Sequence, residues 1–123
     1  MKVISTPNAP AAIGPYSQAI VSGGILYCSG QIPVDPATGT IPEGITAQAE
    51  QSCRNVCAIL EAAGSAPEKV VKTTCFITDM ANFAAVNAVY SEFFTENCPA
   101  RACFAAKALP KGALVEIEAI AAK

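Results

Sequence analysis

An α+β domain is expected from this chain: a mostly antiparallel sheet of six strands with two helices on one of its faces. Three observations predict it. Short runs with period-two alternation or β-branched residues bracket the chain, while two longer runs repeat their apolar residues at helical spacing. Their order, β-ββ-α-β-α-ββ, places two helix-containing halves on one sheet. Charged residues make up only 15% of the chain against 52% hydrophobic, well below the usual quarter. Two helices cover one face of such a sheet, so the other face is expected to be covered from outside the chain, by further copies.

Met1–Ser5 alternates weakly and reads as a short edge strand. Ala9-Pro10-Ala11-Ala12-Ile13-Gly14-Pro15 is a turn-rich connection that cannot be helical. Tyr16–Ser22 and Ile25–Ser29 read as strands joined by Gly23-Gly24, a two-residue hairpin signal. Gly30 to Gly44 carries Ile32-Pro33, Asp35-Pro36, Thr38-Gly39 and Ile41-Pro42, a loop of a length that is usually functional or disordered. Ile45–Ala63 is a helix with Ala49, Cys53, Val56, Cys57 and Leu60 on one stripe, and Gly64 is suited to end it. Lys69–Thr78 is a strand with Val71, Thr73, Cys75 and Ile77 on one face. Asp79-Met80-Ala81-Asn82 offers caps for a second helix, Phe83 to Phe94, with a stripe of Phe83, Val86, Val89 or Tyr90, and Phe93. Arg101–Ala106 and Leu114–Ala121 are the last strands, joined by a loop carrying Leu109-Pro110-Lys111-Gly112.

The last two strands hold charges among apolar neighbours. Arg101, Cys103 and Ala105 share one face of the first, and Glu116 and Glu118 share one face of the second. If the two pair as a hairpin, Cys103 lies opposite Glu116 and Arg101 opposite Glu118. Glu116 is then on the diagonal from Arg101, about 7–8 Å away. Unpaired charge is costly to bury. The three charges therefore read either as a strand-to-strand salt bridge at a sheet edge or subunit contact, or as a functional site. Asn87, beside the second helix's stripe, either hydrogen-bonds a loop or touches a ligand.

Composition removes several function classes. There is no histidine, which removes the commonest general base and excludes Ser-His-Asp and Cys-His pairs. A net charge of −2 with scattered lysines argues against nucleic-acid binding. No stretch has the length and apolar character of a signal peptide or a membrane span. The six cysteines match no common zinc spacing. Most of them read as small, reduced core residues of a cytoplasmic protein.

Several motifs together are recognisable. Ala12-Ile13-Gly14-Pro15-Tyr16-Ser17-Gln18-Ala19, Cys28-Ser29-Gly30-Gln31-Ile32-Pro33, the Thr78-Asp79-Met80 to Phe83 and Asn87 to Tyr90 spacing, and above all Pro99-Ala100-Arg101 through Val115-Glu116-Ile117-Glu118-Ala119-Ile120-Ala121 resemble the RidA (YjgF) family of enamine/imine deaminases. The resemblance spans essentially the whole chain as one domain, residues 1–123. It implies a chorismate-mutase-like fold and a homotrimer with sheets inward, helices outward and three clefts at subunit boundaries. It implies hydrolysis of reactive imines of 2-keto acids, such as 2-iminobutanoate and 2-iminopropanoate, which dehydratases using pyridoxal phosphate release. No metal or cofactor of its own is implied. Carried onto this chain, Arg101 would hold the substrate carboxylate and Glu116 would activate water. Gly30 and Cys103 would offer backbone groups, and Tyr16 its hydroxyl. Ser29 and Asn87 would complete the substrate-binding set. Cys98, where the family often has an aromatic residue, and the high cysteine count are departures outside that set. The alternative reading is a trimer that binds keto acids as a regulator with little turnover.

Overall fold

The computed structural model describes the whole chain, Met1–Lys123. Its strands are β1 (Lys2–Ile4), β2 (Ala19–Ser22), β3 (Ile25–Gln31), β4 (Val70–Ile77), β5 (Ala100–Ala105) and β6 (Val115–Ala122). Its helices are α1 (Ile45–Ala62) and α2 (Phe83–Phe93). The strands form one sheet in the order β1-β2-β3-β6-β4-β5. Every neighbouring pair is antiparallel except β4 and β5.

Local signals explain most of the elements. The β2–β3 hairpin turns on Gly23 and Gly24, both at positive φ (60° and 77°), a turn whose twist matches that of its strands. On α1 the stripe of Ala49, Cys53, Val56 and Leu60 is buried, Ile59 joins it, and Cys57 is only partly covered. Gly64, at φ 73°, follows the helix and returns its N–H to the last turn. Asp79 accepts from the Ala81 N–H at 2.9 Å and starts the short 3-10 helix Met80–Asn82 that leads into α2. Both helices lie on one face of the sheet. Val56, Ile59 and Leu60 of α1 and Val86, Val89 and Tyr90 of α2 share a single core with Leu26, Cys75, Ile77, Val115 and Ile117 from the strands.

The expected hairpin of the last two strands does not form. β4, α2 and β5 make a β-α-β unit, whose helical crossover delivers β5 parallel to β4. β6 returns between β3 and β4, and its alternation of Val115, Ile117, Ala119 and Ala121 is buried there. A second difference lies in β4. A register shift between Val70 and Lys72 buries Val70 and turns Val71 outward, away from Thr73, Cys75 and Ile77. Tyr16 precedes β2, in the loop.

The other sheet face carries no helix. Val3, Tyr27, Val71 and Phe104 are exposed, and Phe104 stacks on Phe76 with ring centroids 6.1 Å apart. No helix is long and apolar enough to cross a membrane.

Candidate active site

Arg101 extends from edge strand β5 toward the helix side, where α2 receives it. Its Nη1–H donates to Asn87 Oδ1 at 2.7 Å. Its guanidinium carbon lies 4.9 Å from the ring centroid of Tyr90 and 5.5 Å from that of Phe83, within cation–π range. Tyr90 is itself fixed, because its hydroxyl and that of Thr73 share a buried hydrogen bond of 2.7 Å. Thr73 is the register partner of Arg101. Phe83, Asn87 and Tyr90 recur at helical spacing, so one face of α2 presents all three. Arg101 is exposed and has no carboxylate partner; the ion pair of this chain is Arg54–Glu50 on α1. Its remaining donors are free to bind an anion. Cys103 points to the same face, packs partly against the core, and pairs in register with Cys75. Burial pushes its thiol up, and the nearby Arg101 offsets this only in part.

Glu116 stands on the opposite face of the sheet. Ala119, Thr73 and Arg101 form a row toward the helices, whereas Glu116, Phe76 and Phe104 form a row away from them. With β4 between β5 and β6, the expected diagonal contact of Arg101 and Glu116 is absent, and so is a salt bridge between them. Glu116 instead lies over Gly30. A Cβ on Gly30 would collide with Glu116 Oε1 and Cδ, so only glycine admits the carboxyl there. Gly30 sits in a register shift between Cys28 and Gln31 of β3. Burial, and secondarily the charge of Glu118, raises the Glu116 carboxyl above the usual carboxylate range.

The remaining sequence-predicted residues gather around Gly30. The Ser29 hydroxyl donates to the Ser17 carbonyl at 2.6 Å, fastening the loop that carries Tyr16. Tyr16 is half exposed, and its hydroxyl oxygen accepts from the Ile13 N–H at 3.2 Å. Tyr16 and Gly30 line a cavity of about 310 Å³ together with Ile13, Ile32 and Lys111. The chain thus brings Tyr16, Ser29, Gly30 and Glu116 to one place, and Arg101, Asn87 and Cys103 to another across the sheet.

Sequence reasoning did not single out the residues that hold these two places. Tyr90 and Thr73 brace Arg101. On α1, Gln48, Ser52 and Asn55 are buried. They repeat at i, i+4 and i+7 beside the apolar stripe, and that period was the available signal. Gln18 is buried as well, its amide bonding Thr6, Ala9 and Pro10 in the N-terminal loop.

Fold and geometry together define a small α+β domain with one uncovered sheet face and a cluster of polar residues on each side of the sheet. The family model described as Endoribonuclease L-PSP matches residues 6–123, and the chain belongs to this family, which includes the YjgF and RidA proteins. A Salmonella typhimurium protein named 2-iminobutanoate/2-iminopropanoate deaminase is 54% identical to it, covering 99% of this chain and 98% of the relative. The crystal structure of the Escherichia coli YjgF gene product superposes with a TM-score of 0.97 at 52% identity, covering 100% of this chain and 99% of that one. Escherichia coli TdcF with bound serine gives a TM-score of 0.97 at 47% identity, with the same coverage.

Proposed function

We propose that the protein hydrolyses 2-imino acids, with 2-iminobutanoate and 2-iminopropanoate as substrates, to 2-keto acids and ammonia. It acts as a homotrimer in which Arg101 of one copy faces Glu116 of the next. The observation that supports this most is an anchored guanidinium without a carboxylate partner and a half-buried carboxylate without a cationic one, on opposite faces of one sheet. The relative's name supports the substrate class. The serine held by TdcF, a small carboxylate-bearing molecule, supports a ligand of that size.

Each residue then has a chemical task. Arg101 binds the substrate carboxylate through parallel charge-assisted hydrogen bonds, with Asn87, Tyr90 and Phe83 holding the fork in place. β5 is an edge strand, so alternate backbone groups around Cys103 point away from β4 and are free for the ligand. Glu116 takes a proton from water as its oxygen bonds to the imine carbon and the C=N π electrons move to nitrogen. The carboxyl returns that proton to nitrogen, giving a carbinolamine. It then takes the proton of the new hydroxyl and passes it to the amine, so the C–N bond breaks as ammonia leaves and the C=O bond forms. A carboxyl raised above its ordinary value is a better base for the first step and still a competent acid for the second. All six cysteines are free, which supports a reducing, cytoplasmic setting.

The test is imine decay beside a threonine dehydratase, with and without the protein. Accelerated decay is expected. Binding of 2-ketobutyrate with unchanged decay would instead make the protein a keto-acid-binding regulator.

A further inference from the structure

β6 enters the sheet from an irregular connection. In the 3-10 helix Pro110–Gly112, Lys111 (φ 58°) and Gly112 (φ 68°) both take left-handed backbone conformations. Ala113 N–H turns back to the Pro110 carbonyl at 3.2 Å. Leu114, two residues before Glu116, is the first residue held from outside. Its carbonyl accepts from Thr78 N–H at 3.2 Å, and its N–H donates to Gln48 Oε1 at 2.8 Å. Gln48 is buried in the first turn of α1. Along the same helix face, Asn55 donates through Nδ2 to the carbonyls of Ile32 (3.1 Å) and Val34 (2.9 Å), just beyond Gly30. Gln51 Nε2 donates to Asn55 Oδ1 at 2.9 Å and fixes that amide. Two buried amides, about two helical turns or ~10.5 Å apart, therefore hold the two chain segments that meet where Glu116 rests on Gly30. An aliphatic side chain at either position would fill the space and leave those backbone groups unpaired.

We propose that Gln48 and Asn55 are positioning residues for Glu116. Gln48 sets where β6 begins, and Asn55 sets where the Gly30 segment lies, so α1 acts as the ruler for the carboxylate. Neither touches substrate. As a role in catalysis this rests on the deaminase reading above.

Gln48 gives the cleaner test, because only its oxygen is used. Gln48→Met keeps the volume and removes the acceptor; Gln48→Glu keeps an acceptor. Gln48→Met is expected to lower kcat by about 10²-fold, the scale of a misplacement near 1 Å. KM and 2-ketobutyrate affinity stay within about twofold, because the Arg101 that shares the proposed cleft comes from another copy and is braced by α2, not by α1. Gln48→Glu is expected to retain most of kcat. Thermal unfolding of each variant fixes a temperature at which all are folded. The Gly30 amide resonance in solution NMR reads the carboxyl's position without any activity: it should shift in Gln48→Met and stay near wild type in Gln48→Glu. Wild-type kcat in Gln48→Met, an equal loss in both variants, or a loss confined to KM would overturn the inference. A wild-type protein that does not accelerate imine decay would remove the deaminase reading, and the Gly30 resonance would still decide whether Gln48 positions Glu116.

Discussion

The contact between Glu116 and Gly30 predicts an unusual phenotype for a small substitution. In Gly30→Ala the new methyl meets the far end of a flexible glutamate, not backbone. The side chain swings away, so thermal unfolding should move by only a few degrees while single-turnover imine decay falls by about 10²-fold. Unchanged decay would show that the carboxyl has no need of that place. The pH dependence follows from the same environment. Burial first, and Glu118 second, raise the Glu116 carboxyl. As pH falls through that raised value the base is protonated and turnover is lost, at a higher pH than for an ordinary glutamate. Glu118→Gln removes one cause, so the acid limb of the pH–rate profile should move to lower pH. For stability the sign is opposite to that of a salt-bridged carboxylate. The native state holds this proton more tightly than the unfolded chain, so the Glu116 contribution becomes more favourable as pH falls through the same window. Cys103 has its thiol raised by burial and no base beside it. Cys103→Ala should keep turnover within a few-fold.

Helix α2 is the element that holds the Arg101 guanidinium in place, and in the proposed site it would make Arg101 a binding group. Asn87→Ala removes its hydrogen bond and leaves the guanidinium free to wander. Calorimetric affinity for 2-ketobutyrate should fall by about tenfold, equivalent to roughly 1.4 kcal/mol. Tyr90→Phe keeps the ring beneath the guanidinium and breaks only the bond to Thr73. It should cost about 1 kcal/mol of stability with affinity nearly intact; the reverse pattern would mean that the hydroxyl, not the ring, holds Arg101. Such elements were legible to different degrees in the sequence. The stripe of α1, the Val86, Val89 and Tyr90 part of the α2 stripe and the Gly23-Gly24 turn were readable, because periodicity and positive φ are local properties; Phe83, expected in the stripe, is exposed beside Arg101 instead. Which residues of β5 share a face, and which of β6, was readable for the same reason. How those faces relate was not. Arg101 and Glu116 looked like neighbours because consecutive strands most often form a hairpin, whereas α2 had already committed β5 to a parallel place beyond β4. Gln48 and Asn55 are not legible as buried residues, because amides in a helix read as solvent-facing unless their period is compared with that of the buried stripe.

At the scale of the molecule, one chain cannot close the proposed site. Its guanidinium and carboxylate point to opposite sides of the sheet, and the uncovered face exposes Val3, Tyr27, Val71 and Phe104. The proposed ring of copies would answer both features, since it would cover that face and let the edge strand of one copy meet Gly30 and Glu116 of the next. Sedimentation equilibrium should give three times the 12.6 kDa chain mass. The central claim, that each site is shared between copies, is tested most directly by mixing two inactive proteins. Arg101→Ala and Glu116→Gln are unfolded together in equal amounts and refolded, and imine decay is measured. In randomly assembled trimers each cleft draws its arginine from one copy and its glutamate from a neighbour, so about one cleft in four has both intact. Recovery of about a quarter of wild-type turnover is predicted. A mixture that forms trimers yet stays as inactive as its parents would contradict the account.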